Sequence, residues 1–360
     1  MLGLFTDDFF PYLGGIGRYV HELTSRLPQN RVIIFSPCRN DIDNHVRISP
    51  PLHKKLYNLS FSWWLHNNVN RVINRHALSR INIQCGPGGL FLLRKPDVPV
   101  IATCHHTWWQ QSIFIQSQWW KKIFIPFERR TYKLSDLIIC DSEASASVLK
   151  QRYGIHPEKI IVIPIGMDMD KFYPMPGVNK LEKSLFFVGR LEKRKGIDFL
   201  VKTMELVTRK MPEARLFVGG QGKGFSGLSQ YIAKHGLKDN IIFLGFIPDS
   251  ELNGWYNRVQ CVVVPSIFEG FGLTAVEAMA AGTGVIVTSD PSLAAIVDDQ
   301  ENGFVIPYGD RNALSNRILL MLENTEIQKK ISQKALLKVK THYNWDTIIP
   351  RYMDALYGVV

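Results

Sequence analysis

The sequence predicts an α/β protein of two domains, each a parallel sheet covered by helices, facing each other across a cleft. Three observations carry that expectation. A chain of 360 residues with 46% hydrophobic and 21% charged content is a folded one, longer than a single core usually supports. Short apolar runs alternate with amphipathic segments along most of its length, the pattern of βα units. The alternation breaks at "PIGMDMDKFYPMPG" (164–177), where proline and glycine interrupt the periodicity. The expected domains are therefore residues 1–165 and 166–342.

The first domain opens with a short strand, the turn Gly14-Gly15-x-Gly17 and an amphipathic helix. Its plainest later strands are "RVIIFSP", "PVIATCHH", "LIICDS" and "IIVIPIG"; residues 37–98 give no readable pattern. The second domain is more regular. "SLFFVGR", "ARLFVGG", "IIFLGF", "CVVVPS", "GVIVTS" and "GFVIP" read as buried strands separated by amphipathic helices. In such sheets ligands collect at the carboxyl ends of the strands, and a cleft between two domains is where small-molecule sites prefer to be.

Composition narrows the function classes. The five cysteines are scattered, with no Cys-x-x-Cys pair, which fits a reduced cytoplasmic setting better than disulfides or zinc. The N-terminus "MLGLFTDDFF" lacks the series expected of a signal peptide. Residues 98–120 carry no charge, but His105, His106 and four glutamines make them too polar for a membrane span. The expected location is the cytoplasm, in solution or peripheral to the cytoplasmic face of a membrane.

The net charge of +11 is uneven: residues 1–165 hold 20 Lys or Arg against 11 Asp or Glu, and the remainder 23 against 21. Between residues 44 and 127 the only acid is Asp97, beside ten basic residues and the pairs Trp63-Trp64, Trp108-Trp109 and Trp119-Trp120. Basic residues interleaved with tryptophan suit an anionic bilayer surface. Nucleic acid is the rival partner, ranked well below because no nucleic-acid module appears. The remaining reading places some of these tryptophans in the core.

The chemistry concentrates in "CVVVPSIFEGFGLTAVEAMAAG", a strand, a loop and a helix. Backbone N–H groups of Phe271, Gly272 and Leu273 at the helix N-terminus offer a phosphate site. Glu269 lies just before the loop and Glu277 about one turn into the helix, and carboxylates accept hydrogen bonds from sugar hydroxyls. The competing reading makes Glu277 a solvated helix residue and Glu269 a cap. In "FFVGRLEKRKGIDFLVK", Arg190 at a strand end and Lys195 at the following helix can reach one anion, whereas Lys193 and Arg194 read as a solvated basic loop. The glycine turn allows close approach of a ligand to backbone. His105 sits at a strand end, where a histidine is structural or catalytic.

Taken together, "GGIGRYV", "GRLEKRKGIDFL", the stretch from "FLGFIPDSELNGW" through "MAAG" and a Trp-bearing C-terminal helix resemble the family-four retaining, nucleotide-sugar-dependent glycosyltransferases of the GT-B fold, two Rossmann-like domains facing across a cleft. The resemblance implies that Glu269 contacts donor-sugar hydroxyls and Glu277 the ribose. It implies that the Phe271, Gly272 and Leu273 amides bind the diphosphate with Arg190 and Lys195, that Gly14 and Gly15 approach it, that His105 faces the donor sugar, and that Ile247 helps seat the base. Where the family often has His-Asp, this chain has His105-His106, which leaves the role of His106 open. The last helix, 343–360, is expected to cross back to the first domain.

The implied activity is a retaining hexosyl transfer, with UDP-glucose as the expected donor and a carbohydrate or lipid-linked saccharide as acceptor, in polysaccharide or glycolipid synthesis. No metal or cofactor is expected: "MDMD" (167–170) lies between the domains and away from a strand end, and the cations Arg190 and Lys195 would take a metal's place. A non-enzymatic nucleotide-sugar scaffold and a GT-B nucleotide-sugar epimerase are the alternatives.

Overall fold

A computed structural model describes residues 1–11, 14–50, 58–222 and 225–358. Tyr12 and Leu13 of the glycine turn, Lys54 and Lys55 of the basic stretch, and Val359 and Val360 at the C-terminus lie outside the described residues. Contacts divide the chain into two compact units, Met1–Gly166 with Asp346–Val360, and Met167–Trp345.

The first unit holds a seven-stranded parallel sheet. In chain order its elements are β1 (Leu2–Phe5), α1 (Gly15–Thr24), β2 (Val32–Ser36), β3 (His45–Arg47), α2 (Asn58–Arg75), β4 (Arg80–Cys85), β5 (Val100–Cys104), α3 (Trp108–Phe114), α4 (Ile125–Leu134), β6 (Leu137–Cys140), α5 (Glu143–Gln151) and β7 (Ile160–Val162). A 3₁₀ stretch, Gln116–Phe124, joins α3 to α4. The spatial order β3-β2-β1-β4-β5-β6-β7 reverses between β1 and β4, so the loops after those two strands emerge side by side.

β4 and α2 fill the segment that sequence periodicity left blank. In β4, "RINIQC", the buried Asn82 and Gln84 interrupt the apolar run expected of a central strand. Asn82 is satisfied by the Ile101 carbonyl and the Thr103 hydroxyl of β5, and the Gln84 amide donates to Asn82 Oδ1. Polar side chains that pair with one another replace the apolar signature.

The second unit is a six-stranded parallel sheet. It runs β8 (Ser184–Val188), α6 (Ile197–Lys210), β9 (Arg215–Gly219), α7 (Phe225–Lys234), β10 (Ile241–Gly245), α8 (Asp249–Arg258), β11 (Cys261–Val264), α9 (Leu273–Ala280), β12 (Gly284–Thr288), α10 (Pro291–Ile296), β13 (Phe304–Ile306), α11 (Arg311–Glu323) and α12 (Thr325–His342). α6 shows why these helices form. Ile197, Leu200, Val201, Met204 and Val207 recur at helical spacing, and all are buried against the sheet. Each such side chain contributes about 1.5–3 kcal/mol of burial. The order β10-β9-β8-β11-β12-β13 reverses between β8 and β11, which places the loops carrying Arg190 and Glu269 next to each other.

The last helix, α13 (Trp345–Tyr357), starts at the unit boundary and packs within the first unit. Arg351 donates to the Val162 carbonyl at 2.6 Å, and Arg80 donates to the carbonyls of Leu356 and Gly358.

Candidate functional site

The second unit concentrates charge where its sheet changes direction. Gly196 begins the arrangement. It sits at φ +70° before α6, and a Cβ there would meet the Pro265 carbonyl oxygen at 1.8 Å. That close approach seats the loop after β8 on the loop after β11, with Ile267 N–H donating to the Arg194 carbonyl at 2.8 Å. Lys195 Nζ then lies 2.7 Å from Glu269 Oε1 and Arg194 Nη1 3.2 Å from Oε2, while the Ser266 hydroxyl donates to Oε1 at 2.6 Å. Burial pushes the Glu269 carboxyl up, but Lys195, Arg194 and the Ser266 hydrogen bond outweigh it and hold it near about 2. The Lys195 ammonium is pulled below its usual range, first by burial and then by Arg194 and Arg190, against the support of Glu269.

Two cations thus share one carboxylate, leaving a unit of positive charge over. Arg190 adds to it from the end of β8, exposed and 3.2 Å from the likewise accessible Glu192. Arg194 corrects the expectation of a solvated basic loop: its side chain is only 15% exposed and also donates to the Phe268 carbonyl. Lys193 is exposed, as expected.

α9 points its N-terminus from the same loop. Its N-cap is Gly272 at φ +116°, with no side-chain cap and no acidic residue in the first turn. The neighbouring α10, α11 and α12 are capped by Asp290, Asp310 and Asn324. The first amides of α9, including that of Leu273, therefore retain their capacity to bind an anion. Asp290 accepts from Ser292 and Leu293 and from the Glu269 N–H, and burial raises its carboxyl to about 6. Phe271 is buried, its ring on Tyr343.

Glu277, one turn into α9, is buried and accepts from the Tyr256 hydroxyl at 2.6 Å, which removes the reading of a solvated helix residue. Ile247, after β10, is buried against Gly219, where a Cβ would meet it at 2.4 Å; Phe246 beside it is 70% exposed.

In the first unit, His105 follows β5 and is buried. Its Nδ1 lies 2.7 Å from Asp141 Oδ2 and its Nε2 2.9 Å from Gln84 Oε1, and the Tyr19 ring meets it edge-on. Both ring nitrogens are engaged within the unit. The His106 carbonyl comes so close to Gly86 that a Cβ would lie 2.4 Å away, at φ +104°. The Gly14 amide, expected to approach a phosphate, donates to Asp8 Oδ2 at 2.9 Å, as does Gly17 at 3.2 Å. Gly15 has open space around it. Among the described residues no cluster of His, Cys, Asp or Glu has the makings of a metal site.

Residues 13–171 match the family model described as Glycosyltransferase Family 4, and residues 169–338 that described as Glycosyl transferases group 1. The chain belongs to the family-four glycosyltransferases. It is similar to the alpha-monoglucosyldiacylglycerol synthase of Streptococcus pneumoniae, 23% identical over 99% of this chain and 86% of the relative. The chain spans about half the length of the curated relatives it matches first, 50% to 55% of each. Its fold is that of the sucrose-phosphate synthase of Thermosynechococcus elongatus (TM-score 0.83, 22% identity, 98% of this chain and 96% of that one). It is also that of Anabaena HepE solved in complex with UDP-glucose (TM-score 0.77, 19% identity, all of both chains).

The sequence singled out Glu269, Glu277, Arg190 and Lys195, but not Arg194, Ser266 and Asp290, which the structure brings against Glu269. Nothing in local spacing marked them, because their roles depend on loops that meet only in the folded sheet. Gly272→Ala is expected to cost about 1–3 kcal/mol in urea unfolding. The added Cβ would take the strained φ and meet Leu293 at 2.7 Å and Ile296 at 3.1 Å.

Proposed function

We propose that the protein is a retaining glycosyltransferase that moves a hexose, glucose from UDP-glucose as the specific reading, onto a saccharide or lipid-linked saccharide acceptor. The observation that carries this is the meeting of Arg194, Lys195, Glu269 and the uncapped N-terminus of α9 at the β8/β11 reversal. As the anomeric bond breaks, negative charge grows on the departing diphosphate, and fixed cations with helix-end amides stabilise it most in the transition state. Glu269 stays ionised at any working pH, and both its oxygens are tied by Lys195, Arg194 and Ser266, which suits a fixed acceptor for sugar hydroxyls better than a nucleophile. Glu277 is the candidate for the ribose hydroxyls, with Tyr256 steadying its carboxylate. A proton supplied by His105 would have to leave its bond to Asp141 or Gln84. The glucosyl lipid in the name of the Streptococcus relative and the UDP-glucose in the HepE complex support the choice of donor and of a lipid-linked acceptor.

The test is a calorimetric panel of UDP-, GDP- and ADP-sugars against the wild type, Glu277→Ala and Arg190→Ala. One donor is expected to bind selectively, with Glu277→Ala weakening it at least tenfold, the scale of one lost charge-assisted hydrogen bond at about 1.5–3 kcal/mol. Arg190→Ala is expected to weaken it less, because Arg190 is largely solvated. Binding of no nucleotide sugar, or binding untouched by Glu277→Ala, would refute the site. NMR of the product anomer decides retention.

A further inference from the structure

We propose that the α3–α4 face of the first unit is a docking surface for an anionic phospholipid bilayer, and that the groove along α4 receives a lipid phosphate. The three tryptophan pairs separate in the structure. Trp108 is buried, Trp109 lies under the Arg152 guanidinium, and Trp64 packs on Phe61 while Trp63 beside it is 59% exposed. Only in the third pair are both rings exposed: Trp119 and Trp120 are 67% and 49% exposed, and Ile123 and Phe127 beside them in sequence are 62% and 47% exposed. Four large apolar side chains within nine residues of sequence form a patch of the kind that marks an interaction site.

The charge around that patch has one sign. Residues 108–134 contain Lys121, Lys122, Arg129, Arg130 and Lys133 and a single acid, Glu128. Glu128 faces inward, taking the Trp108 N–H at 2.9 Å and the Tyr153 hydroxyl. Residues 108–134 supply no other carboxylate to the outer face. Lys121 lies over the Trp108 and Trp120 rings, an ammonium and an indole at one level, as at a headgroup boundary.

A groove of about 390 Å³ runs along α4, with Ile125, Pro126 and Leu134 as its apolar wall and Arg129, Arg130 and Lys133 around it. Arg129 is anchored through Nε to the Tyr153 carbonyl and Arg130 to that of Leu93, and among the described residues no ion pair joins either of them or Lys133. Two positioned guanidiniums and an ammonium beside an apolar wall fit a phosphodiester whose acyl chains continue into a bilayer. An acidic protein would complement the charge but has less use for exposed tryptophans at a cationic rim, so the bilayer is the occupant chosen. The inference is independent of the transferase reading, which rests on the second unit.

The experiment is vesicle flotation of the full chain with phosphatidylcholine alone and with phosphatidylcholine containing phosphatidylglycerol, at low and high salt. Binding is expected only to the anionic vesicles and is expected to fall with salt. The variant Arg129→Gln/Arg130→Gln/Lys133→Gln is expected to lose roughly a hundredfold in affinity for them. Trp119→Ser/Trp120→Ser/Ile123→Ser should also weaken binding and lose quenching by brominated lipid. Far-UV circular dichroism and the urea unfolding transition, measured on the same preparations, report that each variant is folded, and nucleotide-sugar binding, which reads the second unit, separates this inference from the transferase reading. Equal binding to neutral vesicles, binding unchanged in both variants, or a wild type that ignores anionic vesicles and instead self-associates through this face would overturn it.

Discussion

Lys195→Met is expected to abolish sugar transfer and to destabilise the fold by about 3 kcal/mol, the lower end of the cost of breaking a buried ion pair. The ammonium sits 2.7 Å from Glu269 Oε1, and Glu269 is 8% exposed. Without it the carboxylate keeps Arg194 and Ser266 but loses its strongest support, so its proton affinity rises. Sign follows from direction. A carboxyl held near about 2 contributes stability that is present above its ordinary value of 4.5 and lost as pH falls toward 2. The wild type should therefore lose this contribution only in strong acid, and Lys195→Met should show a smaller acid-dependent loss.

The triple variant Arg194→Gln/Lys195→Met/Glu269→Gln separates the two roles of the cluster. Replacing the carboxylate together with both of its cations leaves no uncompensated charge and should restore most of the stability, while transfer stays absent because neither the cations nor the carboxylate remain. Urea unfolding checks the first outcome and a donor-turnover assay the second. A triple variant as unstable as the single one would show that the cluster is not what Lys195 supports, and activity in Lys195→Met would remove it from the site.

How much of this could be read in the sequence depends on whether the deciding interaction is local. The strands of the second unit and the strand-loop-helix around Glu269 are local patterns, and both were legible. Arg194 was not: as a letter it is one of three adjacent basic residues, and only the approach of Gly196 to Pro265 turns it inward while Lys193 stays in water. β4 was hidden for a related reason, since its polar residues are satisfied by β5, which comes 15 residues later in the chain. The glycine turn after β1 was legible as a turn, but the Asp8 carboxylate on its Gly14 and Gly17 amides was not. Nor could the tryptophan pairs be sorted into core and surface by spacing, because α3 and the 3₁₀ stretch after it place adjacent pairs in opposite environments.

Stability is expected to fall as pH rises from 5 to 8.5, and Glu128→Gln is expected to remove the largest part of that fall. Glu128 is 1% exposed, and burial raises its carboxyl from 4.5 to about 8, against the hydrogen bonds from Tyr153 and Trp108 and the nearby Tyr132 phenol, which favour the anion. The groups facing it are phenols and thiols: Tyr132 and Tyr153 from α4 and the end of α5, and Cys85 and Cys104 from β4 and β5. Among the described residues no ion pair joins Glu128, and its Oε1 has no hydrogen-bond partner. The folded state thus holds a proton that the unfolded chain releases above pH 4.5. A raised folded value means a contribution complete below the unfolded value and lost as pH climbs through about 8. At about 1.4 kcal/mol per pH unit, the gap sets an upper limit of about 5 kcal/mol. Asp7, near about 7, and Asp290, near about 6, decline over overlapping ranges, so the wild-type slope is a sum, and the difference between wild type and variant isolates Glu128. Glutamine keeps an oxygen for the Tyr153 hydroxyl and the Trp108 N–H, so the variant should match the wild type at pH 5 and exceed it at pH 8.5. Parallel stability curves for the two proteins would mean that Glu128 is ionised in the native fold throughout, and that its buried charge is compensated by a partner other than these phenols.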